Sequence, residues 1–299
     1  MFETESPSTA DRLQEILDQH AGDLRGATDA LQGLAATVAS NEDAARFASV
    51  VTHVIGEEAG DWNLANQLLG TLQESFHHSV GVQGNFAITC YLDEQWIEGL
   101  RAETRAATAG KESALSVAVW IRISTAHAFQ RQGNWSKCFR LVEPVLELAR
   151  GLETPSRHDA ATASVANNLA SDILDMPTRT REHDIVLEKA ALLSRAFWQR
   201  AGTWMHQERA DYLLAMAYNA LGRHEEARQA ATRAIATLDS HGDEAVDRAF
   251  INVELAVALR QLGRKSDFTS ARERAERIAQ DFDDPGLRQW FDSRFARIA

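Results

Sequence analysis

"DYLLAMAYNALGRHEEARQAATRAIATL" occupies residues 211–238, and Leu221-Gly222 in its middle decides how the chain is read. Apolar or small residues recur at three- and four-residue steps on both sides of that pair. Leu214, Ala215 and Tyr218 come before it, Ala227 and Ala234 after it. Such spacing lines them along one face of each of two helices. A glycine that follows a helical run takes the left-handed backbone that closes the last carbonyls. The segment spells helix, corner, helix.

The same corner returns along the chain. Gly60, Gly133 and Gly263 each follow a helical run. "AGDWNLANQLL" at 59–69 and "QGNWSKCFRLV" at 132–142 both place a glycine, a short polar residue and a tryptophan in that order. Asp61 and Asn134 suit the cap of the following helix, where a side-chain oxygen accepts unbonded amide protons. Trp62 and Trp135 fall in its first turn, where a large ring fills the wedge between paired helices. "DDPGL" at 283–287 makes Asp284 a cap, with Pro285 at the first helical position. Pro144, inside "RLVEPVLELAR", predicts a kink rather than an end, because the apolar pattern runs through it. "SVGVQG" at 79–84 and "MPTRTREHD" at 176–184 read as loop insertions. Helical periodicity over the rest gives fifteen helices between residues 8 and 298. They form seven antiparallel pairs and a capping helix at 285–298.

These copies resemble the tetratricopeptide repeat, whose unit pairs two helices with small residues where they cross. Leu214, Ala215, Tyr218, Leu221-Gly222, Ala227 and Ala234 match its pattern. The next copy keeps Leu255, Ala256, Leu259, Leu262-Gly263 and Ala275, with Phe268 where alanine is usual. The copy around Gly133 keeps Ala126 and Phe129, and has Trp135 in place of a tyrosine. The copy around Gly60 keeps Trp62, Ala65 and Leu69, but has Gly56 where the aromatic should stand. The family's closing proline and early tryptophan are absent from every copy. Corners fall roughly 35 to 45 residues apart rather than uniformly about 34.

The resemblance implies an all-α fold: a right-handed α–α superhelix of about seven antiparallel pairs plus the capping helix. It forms one domain over residues 1–299. It also implies that the first helix of each pair lines a concave groove for a peptide or partner protein. On that basis the inward residues are Trp120, Ile123, His127 and Arg131, then Arg209, Tyr212, Met216 and Asn219, then Val253, Val257 and Arg260. Asn167, Asn168 and Asn219 stand out because a carboxamide offers both donor and acceptor to a peptide backbone. The lysine–asparagine clamp that some members use for a terminal carboxylate is absent from the matching places.

Composition fits this reading. At 44% hydrophobic and 25% charged, the 299 residues are those of an ordinary soluble chain. No apolar run approaches the ~18 residues of a membrane span. The start, "MFETESPSTADR", lacks the basic-then-apolar layout of a signal peptide. Cys90 and Cys138 lie far apart in helical sequence, which points to a reduced, cytoplasmic protein. An excess of arginine over lysine, 27 to 4, suits a bacterial genome of high GC content.

The net charge of −12 sits wholly in residues 1–110, which hold 17 acidic and 5 basic side chains. Residues 111–299 hold 26 of each sign. Nucleic-acid binding needs a basic stripe, so the acidic third argues against it. That third serves solubility, or more sharply offers a docking surface to a basic partner.

Motifs for chemistry are missing: there is no glycine-rich phosphate loop, no nucleophile elbow and no His-Glu-x-x-His. His77 and His78 sit at a helix end, where a cation complements the carbonyl dipole. His53 and Glu57 share a helical face but lack a third metal ligand. Cys138 stands where the repeat needs a small core residue. The sequence therefore predicts a binding module without catalysis, cofactor or metal, which recognises a protein or peptide. The alternatives are a peptide-sensing regulator that switches partner binding, and an enzyme with an unrecognised site.

Overall fold

A computed structural model describes residues 7–242 and 244–299. The leader reading of the first six residues, the acidic Glu3 and Glu5, and position 243 at the start of the thirteenth expected helix lie outside them. The structure is 79% helical, with no strand among the described residues. The helices are α1 Thr9–Gln19, α2 Leu24–Leu34, α3 Asn41–Val51, α4 Trp62–Gln73 and α5 Val80–Leu92. Then come α6 Trp96–Ala109, α7 Ala114–Arg131, α8 Trp135–Arg150, α9 Asp159–Leu174 and α10 Arg181–Ala201. The last are α11 Trp204–Ala220, α12 His224–His241, α13 Ala245–Gln261, α14 Lys265–Ala279 and α15 Pro285–Phe295.

The chain divides into two compact units. The first runs to Leu141 and includes Glu147–His158; the second holds Val142–Leu146 and everything from Asp159. In the first unit α1, α3, α5 and α7 pack each on the next, and α2, α4 and α6 return beside α1, α3 and α5. In the second unit α9, α11 and α13 do the same, with α10, α12 and α14 as their returns and α15 against α13. First helix on first helix is the tetratricopeptide-like arrangement.

The corners carry it. Gly60, Gly133, Gly222 and Gly263 all take φ between 71° and 74°. At Gly222 the next amide, Arg223 N–H, donates to Tyr218 O at 2.8 Å. At Gly133 the equivalent bond runs from Asn134 to Phe129, also at 2.8 Å. Asp61 and Asn134 cap the helices that follow, accepting from Leu64 N–H and Lys137 N–H, and Asp284 caps α15 by accepting from Leu287 N–H.

First helices are surrounded, and their sequences show it. From Val82 to Leu92 every residue of α5 is buried, because α3, α4, α6 and α7 pack around it. Phe47, Phe129 and Phe197 are fully enclosed, each contributing roughly 1.5–3 kcal/mol through burial. At the crossings of second helices the side chains are small: Ala227, Ala230 and Ala234 have no exposure.

Two expected loops differ. "SVGVQG" is the first turn of α5, with Ser79 accepting from Val82 N–H. Its glycines make room rather than a bend: a Cβ on Gly84 would fall 2.1 Å from the Trp120 ring. The second loop ends at Thr180, which caps α10, so Arg181 already begins a helix. Helix α8 runs through Pro144 to Arg150. Gly56 also has a packing reason. It stands in a π-helical extension of α3, Thr52–Glu58, and its Cβ would meet the Trp62 ring at 2.3 Å. The indole takes the space an aromatic at 56 would have used.

Candidate functional site

In the second unit, α9 and α11 lie side by side and present short polar residues at helical spacing. Ser164, Asn167 and Asn168 come from α9, Trp198 from the last turn of α10, and His206 and Arg209 from the start of α11. Together they line an open hollow of about 160 Å³. Three residues expected on the inner face, Asn167, Asn168 and Arg209, are thus brought together.

The hollow has an ordered wall. Trp198 stacks on His206 with centroids 4.3 Å apart and planes at 28°. Thr203 N–H donates to His206 Nδ1 at 3.2 Å, which leaves the proton of the neutral ring on Nε2. Arg209 donates from Nε to Asp247 Oδ2 of α13 at 2.9 Å, yet its side chain is 59% exposed. Asn168 is exposed and Asn167 half-buried. The result offers amide donors and acceptors, a tethered guanidinium and an aromatic face in one place.

Other expected residues lie elsewhere. Asn219, expected to face the groove and a peptide backbone, is instead buried, with Nδ2 donating to Glu254 O at 2.9 Å and to Glu254 Oε2 at 2.8 Å. It ties α11 to α13. Tyr212 and Met216 are half-buried on the same helix, and burial raises the Tyr212 phenol above its ordinary value. Arg260 is exposed and reaches Arg297 O at 3.4 Å. Val253 is buried and Val257 half-buried.

In the first unit, Trp120 and His127 are both buried and Ile123 is fully enclosed. Trp120 lies over Gly84 and stacks on His158 at 4.4 Å. Arg131 is at the surface, bonded to Glu58 at 3.1 Å.

Sequence reasoning missed Trp198, His206 and Ser164. The stack joins two helices across Gly202, and no local pattern marks it. Other surface features belong to the first unit. Trp96, Ile97 and Leu100 of α6 are exposed apolar side chains beside a hollow of about 450 Å³. Between α1 and α2 a hollow of about 630 Å³ is lined by Arg12, Ile16, Gly26 and Leu34 among others. His53 and Glu57 are hydrogen-bonded at 3.0 Å, which raises the imidazole's affinity for its proton. Among the described residues no cluster of His, Cys, Asp and Glu could hold a metal ion, and no helix is long and apolar enough to cross a membrane.

No protein-family model and no curated protein matches the chain. Solved structures are similar to it in fold. One is BtubC (BKLC) from P. vanneervenii, with a TM-score of 0.46 and 16% identity over 93% of this chain and 91% of that one. A second is a kinesin light chain with nearly identical TPR-like repeats from Podosopora anserina, with a TM-score of 0.41 and 18% identity over 70% and 99%. A third is the TPR domain of P58(IPK), with a TM-score of 0.30 and 13% identity over 97% and 79%.

Proposed function

We propose that this chain is a protein- or peptide-binding module, and that the hollow formed by α9, α10 and α11 is a contact point for the partner. The carrying observation is the meeting of Asn167, Asn168, Trp198, His206 and Arg209 in one small hollow. Its volume, about 160 Å³, is below the ~300–1,000 Å³ of small-molecule sites. It suits one side chain or a short stretch of backbone. The carboxamides can bond both edges of a peptide group, the indole offers an apolar face, and Arg209 offers planar donors.

Binding is favoured over catalysis by the state of the histidine. Ser164 and His206 share the hollow, but Thr203 occupies His206 Nδ1. A serine nucleophile needs a base directed at its own hydroxyl. A repeat array presents such contacts on preformed helices, which lowers the ordering cost of association. The acidic charge of residues 1–110 favours a basic partner on that part of the chain.

Site-specific photocrosslinking tests this. A photoreactive residue at position 168, in cells that express the chain, is expected to give a discrete protein adduct that Arg209→Glu abolishes. The same residue at Thr232 of α12 is the control and is expected to give none. Equal adducts at both positions, or none at 168, would overturn the proposal.

A further inference from the structure

Glu208 stands one residue before Arg209 on α11 and has no exposure. Neither of its carboxyl oxygens finds a donor. An ionised carboxylate buried in that way is strongly disfavoured by the loss of its hydration, so the group keeps a proton if a neighbour can use it. Such a neighbour is present. The Asp247 carboxylate of α13 is in hydrogen-bond reach of Glu208 and already accepts from Arg209 Nε at 2.9 Å. Two carboxylates face to face form no bond. A carboxylic acid and a carboxylate form a short, strong one.

The proton belongs on the deeper group. Glu208 is enclosed, while the Asp247 side chain is 22% exposed and has a guanidinium beside it. Burial first, then the charge of Asp247, pushes Glu208 up to about 8; Glu244 adds to the effect and Arg209 opposes it. Charged groups on the other elements around α11 are engaged elsewhere. Arg195 of α10 and Arg233 of α12 both donate to Asp211, Arg200 of α10 to Asp159, and Arg248 of α13 to Asp239.

We infer that Glu208 and Asp247 form a pH-sensitive clasp between consecutive repeats, shut by one shared proton and opened when that proton passes to solvent in mild alkali. With the proton present, Glu208 donates to Asp247, and Asp247 in turn holds Arg209. With it lost, two adjoining carboxylates share one guanidinium. The first turn of α13 then separates from α11. If the hollow is a binding site as proposed above, Arg209 carries the change to it.

The test needs no partner. In the full chain with ¹³C-labelled glutamate, the Glu208 carboxyl is expected to titrate near pH 8, and Asp247→Asn is expected to move that midpoint. A midpoint below about 6, close to the ordinary carboxylate range, would overturn the clasp. Urea unfolding of the chain and of Glu208→Gln gives a second reading, since the glutamine amide donates to Asp247 at every pH. The unfolding constant of the unsubstituted chain, relative to Glu208→Gln, is expected to rise roughly tenfold per pH unit between pH 6 and 8. Parallel curves would also overturn the clasp, and if Glu208→Gln fails to fold the carboxyl titration alone decides. Either failure leaves the binding proposal to its own crosslinking test.

Discussion

The seam between α5 and α7 and the seam between α11 and α13 join the same parts of the repeat by opposite means. In the first, Trp120 of α7 lies over Gly84 of α5, where a Cβ would stand 2.1 Å from the ring. In the second, Asn219 of α11 bonds Glu254 of α13 twice, and Glu208 faces Asp247. One seam is fitted by shape and the other by hydrogen bonds and charge. The repeat fixes where helices meet, and leaves open what holds them. A shape-fitted seam is indifferent to pH and intolerant of added volume. A polar seam is the reverse.

The largest effect is expected at Gly84. Gly84→Val puts three carbons where the indole sits, and overpacking of that kind costs ~3 kcal/mol. A thermal melt should show it as a fall of several degrees. An unchanged melting temperature would mean that Trp120 has room to move, and the shape-fitted seam would be lost from the account.

Asn219→Ala comes next. It removes the amide that serves buried Glu254, whose remaining partner is Arg297. Leaving a buried acceptor short of a donor costs ~1–3 kcal/mol. Chemical denaturation measures this, and a change under ~0.5 kcal/mol, as for an exposed side chain, would contradict the polar seam.

The two seams also end differently. Helix α11 closes at Gly222 with φ 72°, but α5 closes at Glu94 with φ 61° and the matching bond from Gln95 N–H to Cys90 O. Nothing lies within 4 Å of a Cβ built on Gly222, so only its backbone resists substitution. Gly222→Val is expected to cost ~1–2 kcal/mol, the penalty of a side chain in the left-handed region. Glu94→Gly should go the other way by ~0.5 kcal/mol, since it relieves that penalty at some cost in chain entropy. It also gives up an exposed pair with Lys137 that is worth little. A loss of stability there would show that the pair, and not the backbone, holds the corner.

These cases show which features the sequence makes legible. Four corners and three caps could be read because glycine and short polar residues act through backbone geometry within a few positions. Gly84 was read as loop because its reason, the Trp120 ring, lies 36 residues further along the chain. The corner near 96 shows only in the spacing of the flanking helices, because Glu94, which takes the positive φ there, carries no corner signal. Asn167, Asn168 and Arg209, which the resemblance puts on one face, do line one hollow. Asn219 stands at the same register, but Glu254, across the seam and outside local periodicity, draws it inward. Trp198 and His206 escaped for a related reason: their stack exists only once α10 and α11 are side by side.

The central claim is that equivalent seams rest on different physics, and hydrogen exchange of the full chain at pH 6 and pH 9 tests it most directly. With rates corrected for the intrinsic pH dependence of exchange, amides of α5 and α7 should keep their protection at both values. Amides at the start of α13 and the facing turns of α11 should lose protection at pH 9, where Glu208, held up to about 8, has given up its proton. A group raised in the folded state stabilises below its unfolded value, and that stability is lost as pH rises through the folded one. Equal protection of the two seams at pH 9, or loss at α5 and α7 first, would contradict the account.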